Sequence, residues 1–161
     1  MEAAAAAIRA RLDKLGAGAG DLGVCGAACG GDLLFAEACP YATGKGVIVC
    51  AEIMENGAPG PFRTVLERPW HLSYPFLIET DGETYMMPEA FRSGGVTLYR
   101  AVEFPHRWEA VAKHILDQVP IDATPAYHNG MWWLFYTPAT TRNAKVSALH
   151  VAFAEKLEGP W

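Results

Sequence analysis

The chain has 161 residues, enough for one domain and too few for two full ones. Hydrophobic residues make up 51% and charged residues 19%, which allows a packed core and speaks against wholesale disorder. Thirteen Lys and Arg against eighteen Asp and Glu leave a formal charge of −5, which speaks against a general phosphate-backbone binder and hence against a nucleic-acid partner.

No apolar run approaches the roughly 18 residues that span a bilayer, so no membrane span is expected. Five Trp, six Tyr and seven Phe, with 16 Gly and 11 Pro, give the composition of a turn-rich, aromatic-rich β protein.

In chain order, residues 1–15 are Ala-rich, with Ile8, Leu12 and Leu15 at helical spacing and Gly16 as a stop. This predicts a short amphipathic helix that covers an exposed edge of the domain. Residues 16–20 read as a flexible Gly-rich joint, so residues 1–20 form an appendage and 21–161 the domain. Arg9, Arg11, Asp13 and Lys14 interrupt any secretory signal core. Without an export signal, Cys25, Cys29, Cys39 and Cys50 are expected as reduced thiols in a cytoplasmic protein. Their spacing matches no common zinc pattern, so small buried packing residues are expected, with a Cys25–Cys29 redox pair as the alternative. Neither metal nor cofactor is expected.

An internal repeat dominates the rest of the chain. Gly82 in DGETYMMPEA recurs 48 residues later as Gly130 in NGMWWLFYTPA, and 52 residues earlier as Gly30 in GGDLLFAEA. Each copy opens on a turn dipeptide, Gly30-Gly31, Asp81-Gly82 or Asn129-Gly130. A short apolar strand follows each turn, over residues 33–35, 84–87 and 132–136, and a second strand follows over 47–51, 96–101 and 146–151. Strands also precede two of the turns, over residues 74–79 and 124–127. Residues 63–66 form a further strand candidate, while 108–115 read as either a strand or a helical turn.

A period near 50 residues with three or four antiparallel strands per unit is the signature of propeller blades. The fold expected is therefore all-β: a partial β-propeller of about three antiparallel blades with a short N-terminal α-helix. Propellers close with about four to eight blades, so three blades leave apolar faces open. Such a chain is expected to self-associate, to cap its ends with the N-terminal helix, or to join a partner chain.

The runs RPWHLSYPFLIETDGETYMMPEA (residues 68–90), VTLYRAVEFPHRWE (96–109) and IDATPAYHNGMWWLF (121–135) carry a family resemblance, and KGVIVCAEIMENGAPGPFRTVLERPW (45–70) extends it. Together they resemble the N-terminal propeller domain of glucosamine inositolphosphorylceramide transferases and related bacterial proteins. The resemblance implies a five-bladed propeller akin to that of family 43 glycoside hydrolases. The chain departs from it in lacking an Asp-Pro-Phe segment near residues 21–30 and in stopping at Trp161, before the final blades and any glycosyltransferase domain. Transferase chemistry is therefore not expected here.

Propellers place ligands at the mouth formed by the innermost strands, taken here as the strand before each turn. That nominates His71, Ser73 and Tyr74 in one blade, and Asp122 and Thr124 in the next. A glycosidase needs two carboxylates, about 5 Å apart for retention or about 6.5–9.5 Å for inversion. Asp122 and Glu89 are the catalytic candidates. The resemblance matches Asp122 to a blade-opening carboxylate of the family 43 hydrolases. Glu37 occupies the repeat position of Glu89 and is read as structural.

Each nominee has a blander reading. Asp122 is then a turn carboxylate bonding the Thr124 amide, and His71 a satisfied structural histidine. Trp132 and Trp133 point to opposite faces of one strand; Trp133 is either core or a stacking platform for a sugar. The function expected is recognition of a glycan or glycoconjugate, with glycosidase-like carboxylates. The alternatives are a non-catalytic assembly module that completes a propeller with a second copy or a partner, and a remnant without a ligand.

Overall fold

The computed structural model describes residues 22–30, 33–40, 45–139 and 148–161; the expected N-terminal helix lies outside them, as do the side chains of Cys25 and Cys29. The described residues form β1 (Leu22–Gly30), β2 (Leu33–Pro40), β3 (Val47–Glu52), β4 (Arg63–Leu66), β5 (Ser73–Thr80), β6 (Glu83–Glu89), β7 (Thr97–Glu103), β8 (Arg107–Lys113), β9 (Pro120–His128), β10 (Met131–Pro138) and β11 (His150–Ala154). A single 3₁₀ turn, Phe91–Ser93, separates β6 from β7.

These strands make three antiparallel meanders in chain order: β1-β2-β3-β4, β5-β6-β7-β8 and β9-β10-β11. The expected repeat is thus a set of three sheets, and residues 108–115 belong to a strand rather than a helical turn over most of their length.

The hairpin turns explain the spacing. Thr80 pairs with Glu83 and His128 with Met131, leaving Asp81-Gly82 and Asn129-Gly130 at the tips, all four at positive φ between 51° and 78°. A two-residue turn with both φ positive matches the twist of the strands it joins, and Asp-Gly and Asn-Gly adopt it cheaply. In the first sheet Gly30 pairs with Leu33, so Gly30 is a strand end and not part of the turn. The first period is therefore 50 residues, from Gly30 to Thr80, and the second 48, from Thr80 to His128.

β1 also precedes its turn, as β5 and β9 do. Its Gly/Ala/Cys-rich sequence carries none of the β-branched and aromatic enrichment that announces a strand.

Alternation along each strand sorts side chains to two faces. Between the first and second sheets lie Phe35, Ile48, Leu66, Met86, Tyr99 and Trp108. Trp108 meets Phe35 edge-on, with ring centroids 6.1 Å apart, and its indole N–H donates to the Pro105 carbonyl at 2.8 Å. Between the second and third sheets lie Ile78, Met87, Leu98, Trp132, Leu134 and Tyr136. The far face of the first sheet, with Ala36, Ala38, Val47 and Val49, is buried too.

Candidate functional site

The first strands of the second and third sheets are broken at the same place. In β5, Tyr74 and Pro75 stand opposite the one residue Pro88, between the pairs Ser73–Glu89 and Phe76–Met87. In β9, Asp122 and Ala123 stand opposite Tyr136, between Ile121–Thr137 and Thr124–Phe135. Each is a β-bulge, two residues against one, and such bulges re-aim side chains at a strand end. The first bulge residue is left-handed in both: φ is 44° at Tyr74 and 50° at Asp122. Neither is glycine, so each conformation costs roughly 1–2 kcal/mol and is held by its surroundings.

The two bulges touch. The hydroxyls of Tyr74 and Thr124, one from each sheet, are hydrogen-bonded at 3.0 Å. Thr124 Oγ1 also lies 3.1 Å from the Asp122 carbonyl oxygen, to which it can donate. It is thus the Thr124 hydroxyl and the Asp122 main chain that are joined; the Asp122 side chain is exposed and makes no hydrogen bond or ion pair among the described residues. On the Tyr74 side, the neighbouring Ser73 hydroxyl donates to Glu89 Oε2 at 3.0 Å. Glu89 Oε1 accepts the Phe91 N–H at 2.8 Å, fixing the turn that leaves β6. The two sheets thus bring together Ser73, Tyr74, Glu89, Asp122 and Thr124.

The contacts of His71 and Trp133 are with other residues. His71 Nδ1 accepts the Gly46 N–H at 2.8 Å, which leaves the ring proton on Nε2, 3.3 Å from Glu37 Oε1. The imidazole thereby ties the second sheet to the first, and Glu37 is buried against it. Burial pushes the nearby Cys39 thiol above its ordinary range, and the Glu37 charge adds to that. Trp133 lies beside the hairpin, its indole N–H donating to the His128 carbonyl at 3.3 Å and its ring 5.9 Å from Phe153.

Two features escaped sequence reading: the bulges, and Gly46 as the contact point of the His71 tie. The first had a signal, since Tyr74 and Asp122 are 48 residues apart, the same interval as the turns. Gly46 had none, because a glycine before a strand does not announce what will pack on it.

Comparison with known proteins bears on this arrangement. Over 130 residues the chain is 35% identical to glucosamine inositolphosphorylceramide transferase 1 of Oryza sativa subsp. indica and 37% identical to that of Arabidopsis thaliana. Each match covers 80% of this chain and 17% of the relative, so the chain spans about a sixth of their length.

Two solved structures resemble it at a TM-score of 0.55: Bacteroides ovatus xyloglucan PUL GH43B, at 13% identity over 83% of this chain and 27% of that one, and the GH43 protein BlXynB from Bacillus licheniformis, at 16% over 86% and 29%. That likeness shows the fold, in which the three sheets are blades of a family 43-type propeller. The model of the family described as glucosamine inositolphosphorylceramide transferase 1, N-terminal, matches residues 31–161, and the chain belongs to that family.

Proposed function

We propose that the chain is a carbohydrate-recognition domain that holds a glycan or glycoconjugate at the paired bulges, through the Asp122 carboxylate and the Tyr74 and Thr124 hydroxyls. One observation carries this reading: the same strained bulge stands in two adjacent blades, and one of the pair, Asp122, has an exposed side chain and a main-chain carbonyl bonded to the inter-blade hydroxyl pair. Backbone strain held by its surroundings clusters at ligand sites, and hydroxyls with a carboxylate are the groups that sugar hydroxyls need.

The relatives' name specifies glucosamine. An amino sugar carries an ammonium, for which the Asp122 carboxylate is a charge-matched partner. The ligand class proposed is therefore a glycan or glycoconjugate bearing an unsubstituted amino sugar.

Recognition is favoured over hydrolysis by the state of Glu89, whose two oxygens already hold Ser73 and the Phe91 amide. A glycosidic acid must deliver a proton to the leaving oxygen, so one of these bonds would have to be given up.

A glycan array followed by calorimetry with glucosamine-bearing ligands tests the reading. Asp122→Gly removes the carboxylate and accepts the positive φ, so the fold is retained and affinity is expected to fall at least tenfold. Unchanged binding removes Asp122 from the site. Hydrolysis of activated glycosides, abolished in both Asp122→Gly and Glu89→Ala, would replace recognition by catalysis.

A further inference from the structure

The seam between the first and second blades opens into a cavity of about 220 Å³ at the end of the sheets remote from the bulges. On the first blade, Leu33 at the start of β2 pairs with Glu52 at the end of β3, and Arg63 opens β4 opposite Cys50. The turn from β7 to β8 supplies the other wall through Pro105 and His106. Both walls are fixed. The Phe104 ring stands 5.8 Å from Phe35, and the Pro105 carbonyl accepts the Trp108 indole N–H at 2.8 Å. Across the cavity, the Gly60 N–H donates to the Glu52 carbonyl at 2.8 Å and Ile53 bridges Pro59, which folds the β3–β4 loop back and brings Pro61 to the lining. Buried Cys50 also lines the cavity.

Glu52, Arg63 and His106 face this cavity, and none of their side chains makes a hydrogen bond or ion pair among the described residues. Arg100 and Arg107 of the second blade, by contrast, pair with Glu109 and Glu103. A guanidinium takes a carboxylate or phosphate through two parallel N–H donors, and an imidazole adds another donor. A carboxylate takes an ammonium. A plain anion would meet the Glu52 charge and a plain cation the Arg63 charge, whereas a molecule carrying both signs satisfies both. Leu33, Pro61 and Pro105 complete the lining with apolar surface for a short carbon skeleton. The volume falls below the roughly 300–1,000 Å³ of sites for drug-sized ligands, so the occupant is small.

We propose that this cavity binds a small zwitterion, with its carboxylate or phosphate on Arg63 and His106 and its ammonium on Glu52. This goes beyond the carbohydrate reading and fails independently of it, because the substitutions below leave Asp122, Thr124 and Tyr74 in place.

NMR titration of the full chain with leucine and with phosphoethanolamine tests it, the two probes separating a carboxylate from a phosphate. At least one is expected to shift the backbone amides of Glu52, Arg63 and His106. Arg63→Gln and Glu52→Gln are each expected to weaken that binding by about tenfold or more. Both side chains are exposed, so circular dichroism and melting temperature should stay at wild-type values. Analogues with one charge, isocaproate and isoamylamine for leucine or ethyl phosphate and ethanolamine for phosphoethanolamine, are expected to bind about tenfold more weakly or worse. No shift at these amides with either probe overturns the proposal. Binding unchanged in either folded variant overturns it by placing the contact elsewhere. A single-charge anion that binds as tightly as its zwitterion overturns it in favour of a plain anion site.

Discussion

At Gly46 the backbone of one blade touches the next. Its carbonyl accepts the Leu72 N–H at 3.0 Å and its N–H donates to His71 at 2.8 Å. A β-carbon there would stand far inside contact distance of the Leu72 carbonyl, 2.8 Å from the His71 ring and 2.9 Å from Glu37 Oε1. The first obstacle is main chain and cannot rotate away, so Gly46→Ala must push the two sheets apart. The expected cost is about 1–3 kcal/mol, the range for overpacking a tight site. His71→Ala leaves the Gly46 N–H without its acceptor, also at about 1–3 kcal/mol. Urea denaturation should place both below wild type, while Lys45→Ala, which removes an exposed ion pair to Glu67, should cost under about 1 kcal/mol. An unshifted midpoint in Gly46→Ala would show that the sheets are not locked there. His71 and Glu37 could each be singled out in the sequence, but not as partners. They lie 34 residues apart in different blades, and no local pattern encodes that contact.

At the scale of the strand, burial follows what covers each face. β3 has five successive buried residues, Val47 to Ala51, because Ile48 and Cys50 face the second blade while Val47 and Val49 face outward into a closed layer. A run with both faces buried reads as continuous apolar sequence, and VIVCA does. β1 lacked that signal and was missed, whereas β5, β6, β9 and β10 were legible because two-residue turns bracket them. The bulges were not legible as bulges, since Tyr74 and Asp122 carry no glycine to announce a left-handed residue. Cys50 tests the closure of β3. Burial raises its thiol above the ordinary range; Arg63 opposes this and Glu52 adds to it. Folding thus makes the thiol hold its proton more tightly than the unfolded chain does. Its effect on stability is flat at neutral pH, and stability declines as pH rises through the ordinary thiol range near about 8.5 and above. Cys50→Ala should flatten part of that alkaline decline in pH-dependent melting curves. An alkaline limb identical in the variant would mean that the thiol does not contribute to it.

Across the whole molecule, stability is a sum over neighbouring blades, because the two large core layers each lie between one pair of adjacent sheets. The second blade is covered on both sides, by Met86 and Tyr99 toward the first and by Met87 and Leu98 toward the third. Among the described residues the third is covered on one side only, leaving Phe135, Val151 and Phe153 exposed. Local opening requires breaking the layers on either side of a strand, so a blade with one packed face opens at lower free energy than one with two. Native-state hydrogen exchange should therefore rank β6 as the most protected strand and β11 as the least. Among the described residues β11 stands at an edge of its sheet, so it has both fewer hydrogen bonds and less cover there. Leu134→Ala separates these contributions. It removes a fully buried side chain from the layer between the second and third blades, at about 2–5 kcal/mol. The loss should speed exchange in β9, β10 and β11 by orders of magnitude and change β2 and β3 little, because the layer between the first and second blades is a separate cluster. If Leu134→Ala instead lowered protection equally in all three sheets, the blades would be opening as one cooperative unit, and nearest-neighbour additivity would not describe this chain.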